Sequence, residues 1–404
     1  MGLMKTIVLV CDGMADEPVE QLGGRTPLEA AKTPFMDALA REGKVGLART
    51  IPPGFMPASD VGNLCILGYD PRQHYSGRGP LEAANMKIPL QEGDVAFRCN
   101  LVTADGDKLM DYSAGHISSE ESAKLIQHID ASLGSDKLRF HPGIQYRHLA
   151  VFRDPSRTEA FVKTVCSPPH DIMGWKITEH WPKGPAAEEL IRLMETSRSL
   201  LASHEVNQVR IDLKENPGNM IWLWGQGTQI HLKSFRDRWK VTGSVISAVD
   251  LVKGAGRLAG LEVLDVPGAT GYYDTNYEGK AQAALKSLKK HDFVFVHVEA
   301  ADEAGHNGDL RQKLLAIENF DKWVVGSMRE KLDKSDVRIL VIPDHPTPVA
   351  KRTHTTDPVP FLIWGKGITA NGVESFGEST AKATGWMVED AHEILPRLLR
   401  EEIS

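Results

Sequence analysis

The sequence predicts an α/β protein: a mostly parallel sheet with helices on both faces, interrupted by an inserted α+β domain. Three observations predict it. First, the runs Ile7-Val-Leu-Val-Cys11, Phe293-Val-Phe-Val-His-Val298 and Val337-Arg-Ile-Leu-Val-Ile342 are short, apolar and bounded by polar residues. Such runs read as buried strands of a parallel sheet, whose two faces are both covered. Second, strand and helix signals alternate near the start and again from Thr242 onward, whereas the stretch from about Val95 turns to charged, hairpin-like pieces. Third, 404 residues exceed one ordinary domain. The economical division is a core made of residues 1–74 and 242–404, with an inserted domain at 75–241.

Along the chain, the first strand is Thr6–Cys11. A helix follows at Thr33–Glu42, with Pro34 in its first turn and Gly43 at its end, each in its favoured place. Val61–Leu67 reads as a short helix, and Gly77-Arg-Gly-Pro80 reads as a hinge. Within the insert, Phe97–Val102 and Lys108–Tyr112 read as hairpin pieces. Ser118–Ala131 reads as an amphipathic helix, because Ser118 is followed three residues later by Glu121, which makes a capping box. The Trp222-Leu-Trp224 alternation reads as a core strand. The return leg predicts helices near Val245–Ala259, Gly279–Lys290 and Arg311–Leu332. It predicts strands near Leu261–Val266, His291–Val298 and Val337–Ile342.

Composition excludes several classes. The net charge is −7 and the composition is 41% hydrophobic and 25% charged, that of a globular protein with no basic surplus for nucleic acid. The four cysteines, Cys11, Cys65, Cys99 and Cys166, form no C-x-x-C pair and read as reduced thiols of a cytoplasmic protein. No apolar stretch approaches a membrane span and no signal peptide precedes the first strand. Met1-Gly2-Leu3-Met4-Lys5-Thr6 matches the loose N-myristoylation pattern, a match that needs only Gly and Thr.

Seven residues carry the chemistry: Asp12, Ser59, Asp302, His306, Asp344, His345 and His354. Most of them follow the apolar runs, and ligands of parallel sheets gather beyond the carboxyl ends of strands. Asp302 and His306 are four apart, so a helical turn puts both on one face. Asp344 and His345 are adjacent and diverge, so one or both could bind. Mixed carboxylate and imidazole donors suit Mn²⁺ or Zn²⁺ better than Ca²⁺, and the number of donors suggests two ions that would clamp a phosphoryl group. Each residue has a plainer reading: Asp12 as a turn residue, His354 as a surface histidine, Ser59 as a helix N-cap. As a nucleophile, Ser59 would stand at the positive end of the helix that follows it.

The segments Val10-Cys-Asp12-Gly-Met, Pro57-Ala-Ser59-Asp-Val-Gly-Asn63, Tyr75-Ser-Gly-Arg-Gly-Pro-Leu-Glu-Ala83, Asp274-Thr-Asn-Tyr-Glu-Gly-Lys280, Glu299-Ala-Ala-Asp302-Glu-Ala-Gly-His306, and Asp344-His345 with His354 resemble the alkaline phosphatase superfamily. Within it the chain resembles the 2,3-bisphosphoglycerate-independent phosphoglycerate mutases of the archaeal type, over nearly its whole length. The resemblance implies an alkaline-phosphatase-like core and two divalent ions, Mn²⁺ first, with Zn²⁺, Mg²⁺ or Co²⁺ as substitutes. One ion would be held by Asp302, His306 and His354, the other by Asp12, Ser59, Asp344 and His345. Ser59 would take the phosphoryl group of 3-phosphoglycerate and return it to the 2-hydroxyl, so the implied partner is a small phosphorylated hydroxy acid, with no nucleic acid and no membrane. Oligomeric state is left open.

Ser113-Ala-Gly-His116 and Pro168-Pro-His-Asp171 resemble segments that supply a His and an Asp in the other branch of these mutases. They nominate His116 and Asp171 to handle protons or orient hydroxyls. That branch also grips its substrate with paired arginines, and the comparable stretch here, Asn216–Gly227, has none. Arg78, Lys253 and Arg257 are substitutes on chemical grounds, since an anionic substrate needs cations; ordinary surface charge is their plainer reading. An insert closing at hinges Gly77–Pro80 and Thr242-Gly243 would keep water from the phosphorylated serine. Rival readings are a metal-dependent phosphatase and a homoserine kinase, an activity proposed for close relatives of this group. A sulfatase context is missing, there is no G-x-x-x-x-G-K-[ST] loop, and Gly254-Ala-Gly-Arg-Leu-Ala259 lies late in an expected helix. A non-catalytic member would have lost one of the seven residues, and none is lost.

Overall fold

A computed structural model of the chain describes residues 4–400, so the myristoylation-like Gly2 lies outside the described residues. The chain forms two compact units, Met1–Tyr75 with His231–Ser404, and Ser76–Ile230. The return crossing therefore comes earlier than the expected 241. Phe235 and Trp239 belong to the first unit, where their rings pack on Phe293 and Tyr69.

Strands β1 (Lys5–Cys11) and β2 (Lys44–Ala48) lie in the first unit. The second unit holds β3 (Val95–Asp105), β4 (Lys108–Asp111), β5 (Leu138–Ile144), β6 (Arg147–Phe152) and β7 (Met220–Thr228). The first unit then resumes with β8 (Gly243–Ile246), β9 (Glu262–Val263), β10 (Phe293–Val298), β11 (Val337–Ile342), β12 (Val359–Gly365) and β13 (Met387–Val388).

The first unit's sheet runs β13-β2-β12-β11-β1-β10-β8-β9. β1 sits between β10 and β11, parallel to both, with Cys11 opposite Val298 and Val10 opposite Ile342. β8 and β9 continue the parallel part, while β12 is antiparallel to both of its neighbours. Ile7, Leu9 and Cys11 point into one core with Met36, Leu39, Ala281, Ala284, Ile317 and Phe320 from flanking helices. Val8 and Val10 point to the opposite face and are equally inaccessible. Burial on both faces is why these strands read as unbroken apolar runs.

Several elements differ from the sequence reading. Gly243–Ile246 is a strand, not the start of a helix, which begins only at Asp250. Val245 and Ile246 are β-branched and fit the covered pleat beside β10. Gly256 of that helix packs over Val245, where a Cβ would meet the valine's own Cβ at 3.1 Å. Much of the expected hinge Gly77–Pro80 is the first turn of a helix, Arg78–Asn85. The long expected helix Arg311–Leu332 is two helices, Leu310–Asn319 and Gly326–Lys331, joined by a π turn at Phe320–Val325. The carboxylate of Asp321 in that turn accepts from Phe35 N and Met36 N at 3.2 and 2.7 Å. These amides open the helix Pro34–Glu42, whose own N-cap Thr33 makes no side-chain cap.

The second unit is a five-stranded sheet in the order β4-β3-β6-β5, with β7 also on β3, antiparallel throughout. The helix Ser119–Leu133 is capped by Ser118 and Glu121 in a full capping box. It and Ala187–Ala202 bury Ile126, Ile129, Leu190 and Met194 against Phe97, Leu101 and Trp222. Among the described residues no helix is long and apolar enough to cross a membrane.

Candidate functional site

Three neighbouring parallel strands end at the same edge, and each is followed within a few residues by an acidic group: β1 by Asp12, β10 by Asp302 and β11 by Asp344. Asp302 and His306 lie on the helix Ala300–Asn307, with His306 Nε2 at 3.3 Å from Asp302 Oδ2. His354 Nε2 lies 3.3 Å from Asp302 Oδ1 and 2.8 Å from His306 Nε2. His345 Nε2 stands 3.5 Å from both Asp12 Oδ1 and Asp344 Oδ2, and 3.1 Å from Ser59 Oγ. The first unit thus brings all seven residues together.

Ser59 is not an N-cap. The cap of its helix is Ala58, and Ser59 is the first helical residue, half-buried with its hydroxyl turned to His345. Close backbone approach makes this possible. A Cβ at Gly62 would sit 2.6 Å from Asp344 O, and one at Gly13 would sit 2.6 Å from both Asp302 Cα and Thr347 Oγ1. Gly13 also has φ +61°, where only glycine is unstrained.

The hydrogen bonds fix the histidine tautomers. His306 Nδ1 meets the Arg352 carbonyl at 3.2 Å, and His354 Nδ1 meets the Pro57 carbonyl at 3.1 Å. A carbonyl only accepts, so both Nδ1 atoms donate and both Nε2 atoms present bare lone pairs in the neutral rings. Thr347 Oγ1 donates to Asp302 Oδ1 at 2.5 Å, so at 3.2 Å it can only accept from His345 Nδ1. His345 Nε2 is then a bare lone pair as well.

The charges are equally one-sided. Burial, and after it the charge of Asp302, pushes Asp12 well above the usual carboxyl range. Burial and then Asp12 push Asp344 up in the same way. Burial also works against an ionised Asp302, but His306 and His354 outweigh it and hold that carboxyl well below the usual range. Burial disfavours a charged His306 ring, yet Asp302 lifts it to about 9. Asp12 Oδ1 is buried and accepts no hydrogen bond among the described residues. Three buried carboxylates, with the three Nε2 lone pairs that are presented once His306 gives up its proton, fit cations, and donor sets of metal-binding size occur at Asp302/His345/His354 and Asp12/His297/Asp344.

Sequence reasoning missed four residues here. Thr347 links the two donor sets. Asn63 Nδ2 donates to Asp344 Oδ2 at 2.8 Å and to the Ser59 carbonyl at 2.8 Å. Lys313, fully buried, donates to Asp16 Oδ2 at 2.6 Å and to the Thr347 carbonyl at 2.8 Å, tying the loops after β1 and β11. His297 faces Asp12. A polar residue inside an otherwise apolar run, as His297 is within β10, was the one available signal.

The other nominated residues are divided between the two units. Lys253 and Arg257 are on the helix Asp250–Leu258 of the first unit; Lys253 Nζ pairs with Asp265 at 2.8 Å, an exposed pair of small energetic weight. His116 and Asp171 are exposed in the second unit, His116 at φ +51°. Arg78, also in the second unit, lies 5.4 Å from the Trp224 ring, and Arg98 lies 4.8 Å from the same ring and 3.5 Å from Glu82. Arg147, at the start of β6, adds a third guanidinium whose charge Arg98 senses. Arg98 and Arg147 went unseen because they are far apart in sequence and come from the neighbouring strands β3 and β6.

A family model described as 2,3-bisphosphoglycerate-independent phosphoglycerate mutase matches residues 40–207. The chain is 51% identical to the probable 2,3-bisphosphoglycerate-independent phosphoglycerate mutase of Geobacter sulfurreducens, over 98% of this chain and 100% of that protein. It is 50% identical to the mutase of Methanosarcina acetivorans, again over 98% and 100%. Among solved structures it is similar to a protein of Pyrococcus horikoshii, with TM-score 0.83, 31% identity, and coverage of 99% of this chain and 97% of that one. The cofactor-independent phosphoglycerate mutase of Thermoplasma acidophilum gives TM-score 0.66 at 28% identity, covering 99% and 100%. By descent along its whole described length, the chain belongs to the 2,3-bisphosphoglycerate-independent phosphoglycerate mutase family.

Proposed function

We propose that the protein interconverts 3-phosphoglycerate and 2-phosphoglycerate without 2,3-bisphosphoglycerate, through a phosphoserine at Ser59, in the cytoplasm. The observation that carries the reading is Ser59 Oγ at 3.1 Å from His345 Nε2, at the edge where Asp12, Asp302 and Asp344 converge. Relatives about 50% identical along their whole length bear the mutase name, and those names favour neither a phosphatase nor a homoserine kinase.

In this reading Asp302, His306 and His354 hold one divalent ion and Asp12, Asp344, His345 and Ser59 hold the other, Mn²⁺ being preferred. Bound there, the ions neutralise phosphoryl charge and acidify the serine hydroxyl. The chain's own residues do the rest. Ser59 Oγ forms a bond to phosphorus as the phosphorus–O3 bond breaks, and the 3-oxygen leaves with a proton. In the return step the 2-oxygen forms a bond to phosphorus as the Oγ–phosphorus bond breaks; the 2-hydroxyl proton departs and Ser59 Oγ regains the proton it gave up in the first step. His116 and Asp171 are the proposed proton carriers. Arg78 and Arg98 beside Trp224, with Arg147 acting on Arg98, offer the anionic glycerate a cationic face; Lys253 and Arg257 are the first unit's own candidates.

The test is conversion of 3-phosphoglycerate read through enolase, with Mn²⁺ present and 2,3-bisphosphoglycerate absent, while free phosphate is followed in the same sample. Mutase activity lost on chelation, restored by Mn²⁺ and accompanied by little phosphate would support the reading. Phosphate without 2-phosphoglycerate would replace it with a phosphatase.

A further inference from the structure

His297 is wholly buried in β10, and its environment differs from that of the three histidines discussed above in one respect. His306, His354 and His345 each give their Nδ1 hydrogen to an oxygen that can only accept it. His297 Nδ1 meets Ser247 Oγ at 3.2 Å, and that hydroxyl oxygen already accepts the Val249 amide at 2.9 Å. Its own hydrogen is therefore free to be given to Nδ1. The other ring nitrogen, Nε2, lies 2.9 Å from Asp12 Oδ2, and a carboxylate that holds a cation is ionised and only accepts. The tautomer that satisfies both contacts carries its hydrogen on Nε2, the reverse of the other three rings.

Asp12 is thereby divided. Oδ2 takes a hydrogen bond from behind, and Oδ1 is turned to the side where His345 Nε2 stands at 3.5 Å. Lys280, also buried, donates to the His297 carbonyl at 3.0 Å and pins the backbone of the same residue. The nitrogen of His297 is close enough to Asp12 and Asp344 to be a direct ligand, so proximity alone does not assign its role; the hydrogen-bond pattern does. We propose that His297, held by Ser247, is a positioning residue whose Nε2–H fixes the Asp12 carboxylate so that Oδ1 faces the cation shared with Asp344 and His345. This rests on the two-ion reading of the site. Groups that orient a ligand in this way commonly contribute 10–100-fold in metal affinity.

The experiment is Mn²⁺ binding to the full-length protein, by equilibrium dialysis with elemental analysis, for wild type, His297→Ala, His297→Gln and Ser247→Ala. Glutamine places an amide N–H near the former Nε2 position but is a poor ligand, so it separates the two roles. The wild type should bind two ions. His297→Ala should keep one and bind the other roughly 10–100-fold more weakly. His297→Gln should recover most of that loss, and its Co²⁺-loaded form should keep the visible absorption bands of the wild type. Ser247→Ala should weaken the same ion by a smaller factor, which keeps the inference testable if a His297 variant fails to fold. Glutamine as damaging as alanine would make His297 a ligand and overturn the proposal, as would unchanged affinity in the alanine variant. Fewer than two ions on the wild type would overturn the two-ion reading itself, and this inference with it.

Discussion

The Nε2 atoms of His306 and His354 face each other at 2.8 Å, and each ring spends its other nitrogen on a backbone carbonyl. Two bare lone pairs at that distance need a proton or a cation between them. The expected consequence is thermal. Stripping divalent ions should lower the unfolding temperature, and Mn²⁺ at a hundredfold excess over its dissociation constant should stabilise the protein by about 2.7 kcal/mol. An unfolding temperature indifferent to both treatments would argue that the rings are bridged by a proton alone.

Thr347 joins the two donor sets through one oxygen, giving its hydrogen to Asp302 and receiving that of His345. Thr347→Val keeps the shape and removes the hydroxyl, so a buried carboxylate oxygen and a buried N–H both lose their partner. The cost should be about 1–3 kcal/mol of stability, with weaker Mn²⁺ binding at both sets, and Thr347→Ser should restore most of each. Denaturant titration and metal analysis of the pair check this; loss of one ion alone would break the proposed link.

Ser59 opens its helix with its hydroxyl toward His345 and has no capping duty. Ser59→Ala should therefore lower turnover by roughly three orders of magnitude or more, while the fold and the metal content stay intact. Circular dichroism and elemental analysis establish the last two. Substantial residual turnover would remove Ser59 from the chemistry.

Asp321 is lifted to about 6 by burial first, and then by the charge of Asp37, against the pull of the Phe35 and Met36 amides. The folded state therefore holds this proton more tightly than the unfolded chain does. The associated stability is fully present below the unfolded value near 3.8 and is lost as pH rises through about 6. From the shift, the change is at most about 3 kcal/mol. Denaturant midpoints across roughly pH 4 to 6.5 should fall less steeply for Asp321→Asn than for wild type. An identical slope would mean that other groups set it.

Much of the core was legible because β1, β10 and β11 are covered on both faces and so appear as unbroken apolar runs, each with its acidic residue just beyond. The capping box likewise announced the helix Ser119–Leu133. β8 was mistaken for helix because four residues are too few to show a period of two, and Val245-Ile246 suits either element. The antiparallel strand β12 and the outer strand β2 gave no such run with ligands after it. Thr347, Asn63 and Lys313 were invisible for a different reason. They bind nothing themselves in the reading; Thr347 and Asn63 hold residues that do and Lys313 holds the loops that carry them, through contacts 45, 281 and 297 positions apart in sequence.

β1 has both of its neighbours far downstream, the nearer beginning at Phe293. During synthesis its seven residues must therefore remain unpaired while β10 is still unmade, an interval of roughly fifteen seconds to a minute at ordinary translation speeds. The unit Ser76–Ile230 is continuous in sequence and can finish folding within that interval. A nascent chain of this protein thus carries a completed insert beside an exposed, adhesive first strand. That makes the half-synthesised polypeptide, more than the finished enzyme, the aggregation-prone form.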